Sequence, residues 1–414
     1  MKKTEHPIIE SFITLALLII MVLGLSRLVE RKDSFAKYDD FYRYADEYDV
    51  LFFGCSHMMN ANLPMELWKE YGIRSYNMGN GAETIPVTYH VIRNALDHSS
   101  PKLIIVDPYY ALADTAFPPK VGFDKSHMFF DAVPMSTHKA DFAYDLLPDS
   151  RNRWNYLFDF TLYHSRWNDL TILDLFPEND HFGGSGALFH SYTPKDPVED
   201  PFPALSYPEL HGMPPMPKAY FKKIKELCDE RGIRIVCILN PYAQWYESAN
   251  GNLDYEKELA ELGIEFINLR DTDIADIFAD SADNMHLNIS GQRKVNAFYG
   301  NYISKAGIIS SASFDSEAVW NERYSAYIQK KADLILACTD CAAMLTDLND
   351  PDFTFDIRLK NDAPVTDTMN RMLNNAADYD NVSILTDDTL ASDIIINVCF
   401  KGSREPFVSR SFDL

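Results

Sequence analysis

A serine stands directly after a short apolar run near the start of the chain. Val50–Phe53 carries a large or β-branched side chain at every position, which is typical of a buried strand. Gly54 breaks the run and Ser56 follows. Such a strand end can present a nucleophilic hydroxyl, although a strand followed by an ordinary turn shows the same short pattern. Because a serine hydroxyl is a weak nucleophile at neutral pH, its chemistry needs a base from elsewhere in the chain.

A carboxylate and an imidazole that suit this serine lie far downstream. Asp283 and His286 precede a predicted helix, for which Ser290 is the expected N-cap. On such a loop the carboxylate can fix the tautomer of the imidazole, while the other ring nitrogen takes the proton from Ser56. The pattern predicts a triad of nucleophile Ser56, base His286 and orienting acid Asp283.

Two glycines predict where a substrate oxygen would bind. Gly79 and Gly81 follow a second predicted strand and precede a helix. Backbone N–H groups at such positions can approach a substrate oxygen with no Cβ in the way. The N–H groups of Gly79 and Ser56 are therefore a candidate oxyanion hole. A glycine-containing turn between a strand and a helix explains the same residues by itself.

The other reactive side chains allow a metal-dependent alternative. His57, Asp283 and His286 could together ligate a metal ion that activates water. A serine mechanism needs no further ligand, so we expect no cofactor and expect His57 to line the pocket or pack beneath it. The six cysteines are too few and too scattered for a disulfide scaffold. Cys338 and Cys341 lack a second Cys-x-x-Cys pair that would complete a tetrahedral zinc site.

Alternating strands and helices must position these residues. The predicted strands are Val50–Phe53, Arg74–Asn77, Leu103–Asp107, Ile233–Leu239 and Glu265–Leu269. The predicted helices between them are Pro64–Tyr71, Thr84–Leu96, Lys218–Arg231 and Leu253–Leu262. This alternation is typical of an α/β protein with a parallel sheet covered on both faces. Ser56 would lie at a strand's carboxyl end, so the Asp283 loop must reach the same edge of the sheet.

Two regions depart from this alternation. Residues 110–217 form a long insertion rich in Pro, His and aromatic residues, with its most helical part at 153–170. Its histidines are too irregularly spaced to define a metal site: His127, His138, His164, His181, His190 and His211. Beyond residue 312, strand patterns at 353–360 and 393–400 flank a helix pattern at 367–375. We interpret residues 313–414 as a small α+β accessory domain, after an anchor at 1–32 and an α/β domain at 33–312.

Charge and hydropathy limit the partners and the location. The chain of 414 residues has 38 basic and 61 acidic side chains and a formal charge of −23, so nucleic-acid phosphates would be repelled. Ser11–Val29 is almost entirely apolar and close to the roughly 20 residues that span a membrane. The residues after it lack an A-x-A-like cleavage site, which favours an uncleaved anchor over a signal peptide. Basic residues on both sides leave its orientation open.

The motifs together resemble the SGNH/GDSL hydrolase superfamily. The similarity is to its membrane-anchored cell-envelope branch, with the D-alanine transfer protein of teichoic acid synthesis and alginate-type O-acetyltransferases. It spans about Asp49 to Ala306, and its blocks are Gly54-Cys55-Ser56, Asn77-Met78-Gly79 and Asp283-Asn284-Met285-His286. The resemblance implies a three-layer, flavodoxin-like α/β fold.

Two departures from the family pattern concern the residues around the serine. Cys55 stands where the family usually has an aspartate, and no Gly-x-Asn-Asp segment supplies the side-chain oxyanion donor. Asp107-Pro108-Tyr109 stands at the corresponding strand end. Asn240, at the end of a later strand, is the remaining candidate for that donor.

The resemblance also implies a function. It implies an extracytoplasmic serine esterase or O-acyltransferase, on a single-pass anchor in the cell membrane, that acts on acyl groups of an envelope polysaccharide or teichoic-acid-like polymer. The expected partners are the polymer or its acyl donor and, by analogy, a multi-pass membrane O-acyltransferase. Hydrolysis and transfer both stay open, because one imidazole can activate water or a sugar hydroxyl. The alternative is a non-catalytic binding or accessory module of an envelope polysaccharide modification complex.

Overall fold

A computed structural model of the chain describes residues 7–29, 35–117, 127–147, 149–157, 160–175, 182–184, 212–242, 254–283, 285–309 and 313–414. Two compact units comprise residues 1–43 with 119–181, and residues 44–118 with 182–414. The predicted triad belongs to the second unit. His181, His190, His211 and Asn284 lie outside the described residues, as do residues 32, 33 and 312 at the predicted domain boundaries.

Helices build the first unit and connect the strands of the second. In the described part of the chain they are α1 (Pro7–Val29), α2 (Phe35–Arg43), α3 (Ser56–Met59), α4 (Pro64–Tyr71), α5 (Ile85–Ala95), α6 (His127–Phe130), α7 (Thr137–Leu146), α8 (Ser150–Leu157), α9 (Phe160–Tyr163), α10 (Ile172–Leu175), α11 (Pro215–Glu230), α12 (Tyr255–Glu261), α13 (Ile289–Ala306), α14 (Phe314–Ala337), α15 (Cys341–Leu345) and α16 (Asp367–Ala376). Short 3-10 helices cover Ala45–Glu47, Tyr109–Leu112 and His164–Asn168.

Five parallel strands form the first sheet of the second unit. They are β1 (Val50–Phe53), β2 (Ser75–Asn77), β3 (Leu103–Val106), β4 (Arg234–Leu239) and β5 (Glu265–Asn268). Their order, β2-β1-β3-β4-β5, is that of flavodoxin-like doubly wound sheets. In such sheets ligands bind beyond the carboxyl ends of the strands, where the order reverses between β1 and β3. Ser56 follows β1 and lies at this switch point.

Burial of the strands explains why the sequence predicts them. Every residue of β1 and β3 is buried, so both faces of the sheet are covered, as the continuous apolar runs indicate. All five predicted strands are confirmed to within one residue at each end. Helix α11 begins at Pro215, earlier than the predicted Lys218, because proline is tolerated in the first turn of a helix.

Residues 313–414 carry a second, mixed sheet. Its strands are β6 (Phe353–Leu359), β7 (Val382–Thr386), β8 (Ile394–Phe400) and β9 (Val408–Phe412), in the order β7-β6-β8-β9. Strand β6 is parallel to β7 and antiparallel to β8. The sequence predicts the central strands β6 and β8 but not β7 and β9. Both missed strands lie at sheet edges, where most of their residues are partly or fully exposed and the apolar pattern is weak.

A buried cluster of charged side chains links residues 313–414 to helices α4 and α13. Arg293 on α13 bonds Glu66 on α4, with Nε 3.2 Å from Oε1, and also pairs with Asp350. Lys331 on α14 donates to Asp350 at 2.8 Å. These four side chains, which we call the ion cluster, are at most 5% exposed. The ion cluster therefore joins helices from both sides of residue 312.

The first unit combines α1 with helices of the predicted insertion. Within the described residues, α1 is the one helix long and apolar enough to cross a membrane. It contacts α9, α10 and the 3-10 helix His164–Asn168. Within the predicted helical stretch at 153–170, the structure describes α8 to Leu157, α9 and then the 3-10 helix His164–Asn168, and residues 158 and 159 lie outside the described residues.

Candidate active site

Ser56 lies at the start of α3, just beyond the carboxyl end of β1. Gly54, between them, has a φ of +137°, and a Cβ there would lie 2.9 Å from the Cβ of Asp107. Glycine alone accommodates both this backbone conformation and this close approach. The turn carries Ser56 from the fully buried strand to a partly exposed position.

The structure brings the three predicted triad residues together. His286 Nε2 lies 2.8 Å from Ser56 Oγ. His286 Nδ1 lies 3.0 Å from each carboxylate oxygen of Asp283. These contacts suit one tautomer of the imidazole, in which Nδ1–H donates to Asp283 and Nε2 accepts from the serine hydroxyl. This arrangement can activate a hydroxyl nucleophile.

A compact loop holds the acid and the base in place. Asp283 Oδ1 accepts the backbone N–H groups of Met285 and His286 at 2.7 and 2.9 Å. The Ala282 N–H donates to the carbonyl of His286 at 2.8 Å, which closes the loop. Asp283 therefore organises the loop backbone as well as the imidazole.

The electrostatics of Asp283 favour its charged form. Burial raises its pKa, but the hydrogen bond and charge of His286, with the two backbone N–H groups, outweigh burial and hold the pKa below the ordinary value. The side chains of Asp283 and His286 are 33% and 23% exposed. Asp283 is thus ionised at neutral pH and can stabilise an imidazolium, while the site stays open to a substrate.

Asp280 supports this loop from the protein side, and the sequence analysis does not find it. Its carbonyl accepts the Asn288 N–H, and its carboxylate accepts from Ser290 Oγ at 2.8 Å and Lys294 Nζ at 2.7 Å. The N-cap of α13 is Asn288, whose side chain accepts the Gly291 N–H. The prediction of Ser290 as the N-cap is wrong, because that hydroxyl donates to Asp280. No short motif marks Asp280 in the sequence.

Gly79 packs against the helix that carries Ser56. A Cβ at Gly79 would lie 2.8 Å from the Met59 nitrogen, so this approach requires glycine. The Gly79 N–H donates to Asn77 Oδ1 at 3.0 Å, and Asn77 Nδ2 donates to the Met58 carbonyl at 3.0 Å. Asn77 therefore ties the end of β2 to α3.

The structure does not bring Asn240 to the triad as an oxyanion donor. Its Nδ2 donates to Asp107 Oδ2 at 2.8 Å, and its Oδ1 accepts from Tyr299 at 2.6 Å. The side chain is fully buried. Burial raises the pKa of Asp107 to about 6, against the opposing hydrogen bonds from the Tyr109 N–H and Asn240. The Asn240 amide is thus committed to the inner wall beyond β3 and β4.

His57 packs beneath the site as a neutral ring. It stacks on Tyr242 with centroids 4.8 Å apart, meets Tyr109 edge to face at 4.1 Å, and lies 6.0 Å from the ring of His286. Burial, with a contribution from His286, lowers the pKa of His57 to about 3. The Arg270 guanidinium covers Tyr242 at 4.7 Å, which brings a cation near this aromatic layer.

One group of side chains in the described residues could hold a metal ion. Ligand atoms of Cys55, His57 and Asp107 lie within 4.8 Å of one another, and all three residues are buried. Thiolate, imidazole and carboxylate are zinc ligands. This group differs from the alternative that the sequence suggests, because His286 bonds Asp283 and Ser56 instead. All six cysteines are free of disulfide bonds.

Comparisons with known proteins find a weak structural similarity and no matching family model or curated protein. The chain matches no protein-family model, and it shows no significant similarity to a curated protein. A crystal structure of a candidate acylhydrolase from Bacteroides fragilis NCTC 9343 overlaps it with a TM-score of 0.30 and 12% identity. The overlap covers 67% of this chain and 99% of that chain. A similarity at this level carries no argument about activity.

Proposed function

We propose that the protein is an SGNH-type serine esterase or O-acyltransferase that acts on ester-linked acyl groups. The observation that carries the proposal is the hydrogen-bonded chain from Ser56 Oγ through His286 to Asp283, with distances of 2.8 and 3.0 Å. Its position beyond β1, at the switch point of a flavodoxin-like sheet, adds support because ligands bind there in such folds.

The reaction has two halves that use the same three residues. Ser56 Oγ attacks the ester carbonyl while its proton passes to His286 Nε2, and Asp283 stabilises the resulting imidazolium. The tetrahedral intermediate collapses, and the leaving alkoxide takes the proton from Nε2, which leaves an acyl-serine. Water or a sugar hydroxyl then gives its proton to Nε2 and attacks the acyl-serine. Collapse releases the acid or the new ester, and Ser56 regains a proton from His286.

Backbone N–H groups would stabilise the negative charge that forms on the carbonyl oxygen. Ser56 is the first residue of α3, so its N–H is not used in the helix's own hydrogen-bond pattern. The Gly79 N–H, now bonded to Asn77, is the second donor in this proposal. The Gly79 N–H would exchange its bond to Asn77 for one to the substrate oxygen when the substrate binds, so that it is in place before the transition state forms.

The cellular setting rests on the family resemblance and on α1. We place the second unit outside the cell membrane, on a single-pass anchor, where it would act on an envelope polysaccharide or teichoic-acid-like polymer. A multi-pass membrane O-acyltransferase is the proposed partner by analogy. Labelling of a reporter cysteine at Ser313 on intact cells, with a membrane-impermeant reagent, tests the orientation. Labelling only after lysis would contradict it.

Aryl-acetate turnover by purified Ser56→Ala protein tests the activity. We expect turnover to fall to background, because Ser56 carries the hydroxyl that is hydrogen-bonded to the His286 imidazole. Ser281→Ala is the matched control: this serine lies near Asp283, and its buried hydroxyl bonds no group among the residues that the structure describes, so turnover should persist. Equal turnover by wild type and Ser56→Ala would refute the esterase and leave the non-catalytic accessory module as the better account.

A further inference from the structure

Exposed apolar side chains of the first unit lie beside the membrane-helix candidate. Trp167 of the 3-10 helix and Ile172 and Leu175 of α10 are 68%, 66% and 59% exposed. Both elements contact α1. Single exposed apolar residues are ordinary, but a group of three large ones beside a membrane helix needs a physical explanation.

A bridging arginine fixes this group at the last turn of α1. Arg166 Nη1 donates to the Val29 carbonyl at 2.7 Å, and Arg166 Nη2 pairs with Asp174 at 2.8 Å. Trp167 directly follows Arg166 in the sequence, and Leu175 directly follows Asp174. These two apolar side chains are therefore held close to the level of Val29.

The exposure of the side chains along α1 indicates that Val29 lies near a membrane surface. Large apolar side chains from Ile8 to Leu25 are between 41% and 71% exposed. This stretch is about 27 Å long at 1.5 Å per residue, which matches a hydrocarbon core of roughly 30 Å. Ser26 and Val29 are only 6% and 3% exposed, because α1 enters the first unit there. The hydrocarbon boundary thus falls near Leu25, one turn before Val29.

We propose that Trp167, Ile172 and Leu175 form an interfacial patch that inserts into the lipid headgroup boundary next to α1. Tryptophan suits this position because its ring is apolar and its N–H can stay in contact with water, and it is enriched at membrane interfaces. The occupant is lipid because the patch continues the exposed apolar surface of α1. The proposal rests on α1 being a membrane anchor but not on the serine chemistry.

Lipid-dependent tryptophan quenching tests the patch. The full chain is reconstituted in vesicles of phosphatidylcholine and phosphatidylglycerol, with lipids brominated near the top of the acyl chains. The patch predicts that Trp167→Phe removes most of the quenching. Trp154→Phe is the matched control, since it removes a 60% exposed tryptophan from α8 of the same unit and should leave the quenching in place.

Two further readouts separate the possible failures. Vesicle flotation reports the anchor: a chain that does not float refutes both the anchor and the patch. Flotation with equal quenching in wild type and Trp167→Phe would refute the patch alone. It would favour a membrane protein, rather than lipid, as the partner that covers these three side chains. Aryl-acetate turnover should be the same in wild type and Trp167→Phe, so the patch can fail while the proposed esterase stands.

Discussion

The candidate active site and the ion cluster both join side chains that are distant in sequence, and they differ in burial. His286 and Asp283 are 23% and 33% exposed, whereas Arg293 and Asp350 are 5% and 0% exposed. A partly exposed pair can exchange protons and admit a substrate. Fully buried charges depend on one another, because no water replaces a lost partner. Exposure, rather than ion pairing itself, separates the side chains that we propose to be reactive from those that hold the fold together.

Substitution of His286 in the candidate active site should have the largest effect on turnover. His286→Ala leaves Ser56 without a base, so we expect aryl-acetate kcat to fall by about 10⁶-fold. The thermal melting temperature should change little, because the side chain is partly exposed. His98→Ala, at an exposed histidine of the same unit, is the control and should keep full turnover. A loss below tenfold in His286→Ala would contradict the assigned base.

Loss of the carboxylate charge of Asp283 should have the second-largest effect on kcat. Asp283→Asn keeps the shape of the side chain but loses the charge that stabilises the imidazolium, so we expect a fall in kcat of about 10⁴-fold. Asp271→Asn, at an exposed aspartate bonded to Asn268, should have little effect. Equal kcat in wild type and Asp283→Asn would contradict the orienting role of Asp283.

A substitution in the ion cluster should lower the stability of the protein and leave turnover in place, which is the opposite of the result expected for His286→Ala. Arg293→Met leaves Glu66 and Asp350 buried with fewer partners, so we expect the free energy of unfolding to fall by about 3–5 kcal/mol. Arg358→Met, which breaks an exposed pair with Asp356, should change it by under about 1 kcal/mol. Chemical denaturation measures both. Folded Arg293→Met protein should still turn over aryl acetate. Loss of turnover without loss of stability would contradict the structural role of the ion cluster.

The smallest effect on turnover is expected at Gly79, whose backbone packs against the helix that carries Ser56. Gly79→Ala forces its Cβ toward the Met59 nitrogen and displaces α3, so we expect a fall in kcat of about 10²-fold. Gly81→Ala meets nothing within 4 Å and should keep its activity. If both alanine variants keep full turnover, Gly79 does not position the nucleophile.

Local sequence patterns predict some of these features and not others. Strand β1 and the loop at Asp283 are found because their signals lie within a few neighbouring residues. The cluster of Arg293 with Asp350 joins residues that no local pattern connects, so the sequence suggests a boundary near residue 312 without the charges that bridge it. Asn240 shows the same limit, since its position at a strand end does not reveal that Asp107 binds its amide.

The proposed function requires that Ser56 is a nucleophile activated by His286. The most direct measurement is the intact mass of the purified protein after reaction with a fluorophosphonate, followed by peptide mapping. We expect one adduct per chain, on Ser56, and almost no adduct in His286→Ala over the same time. An adduct on another residue, or equal labelling of Ser56→Ala, would contradict it.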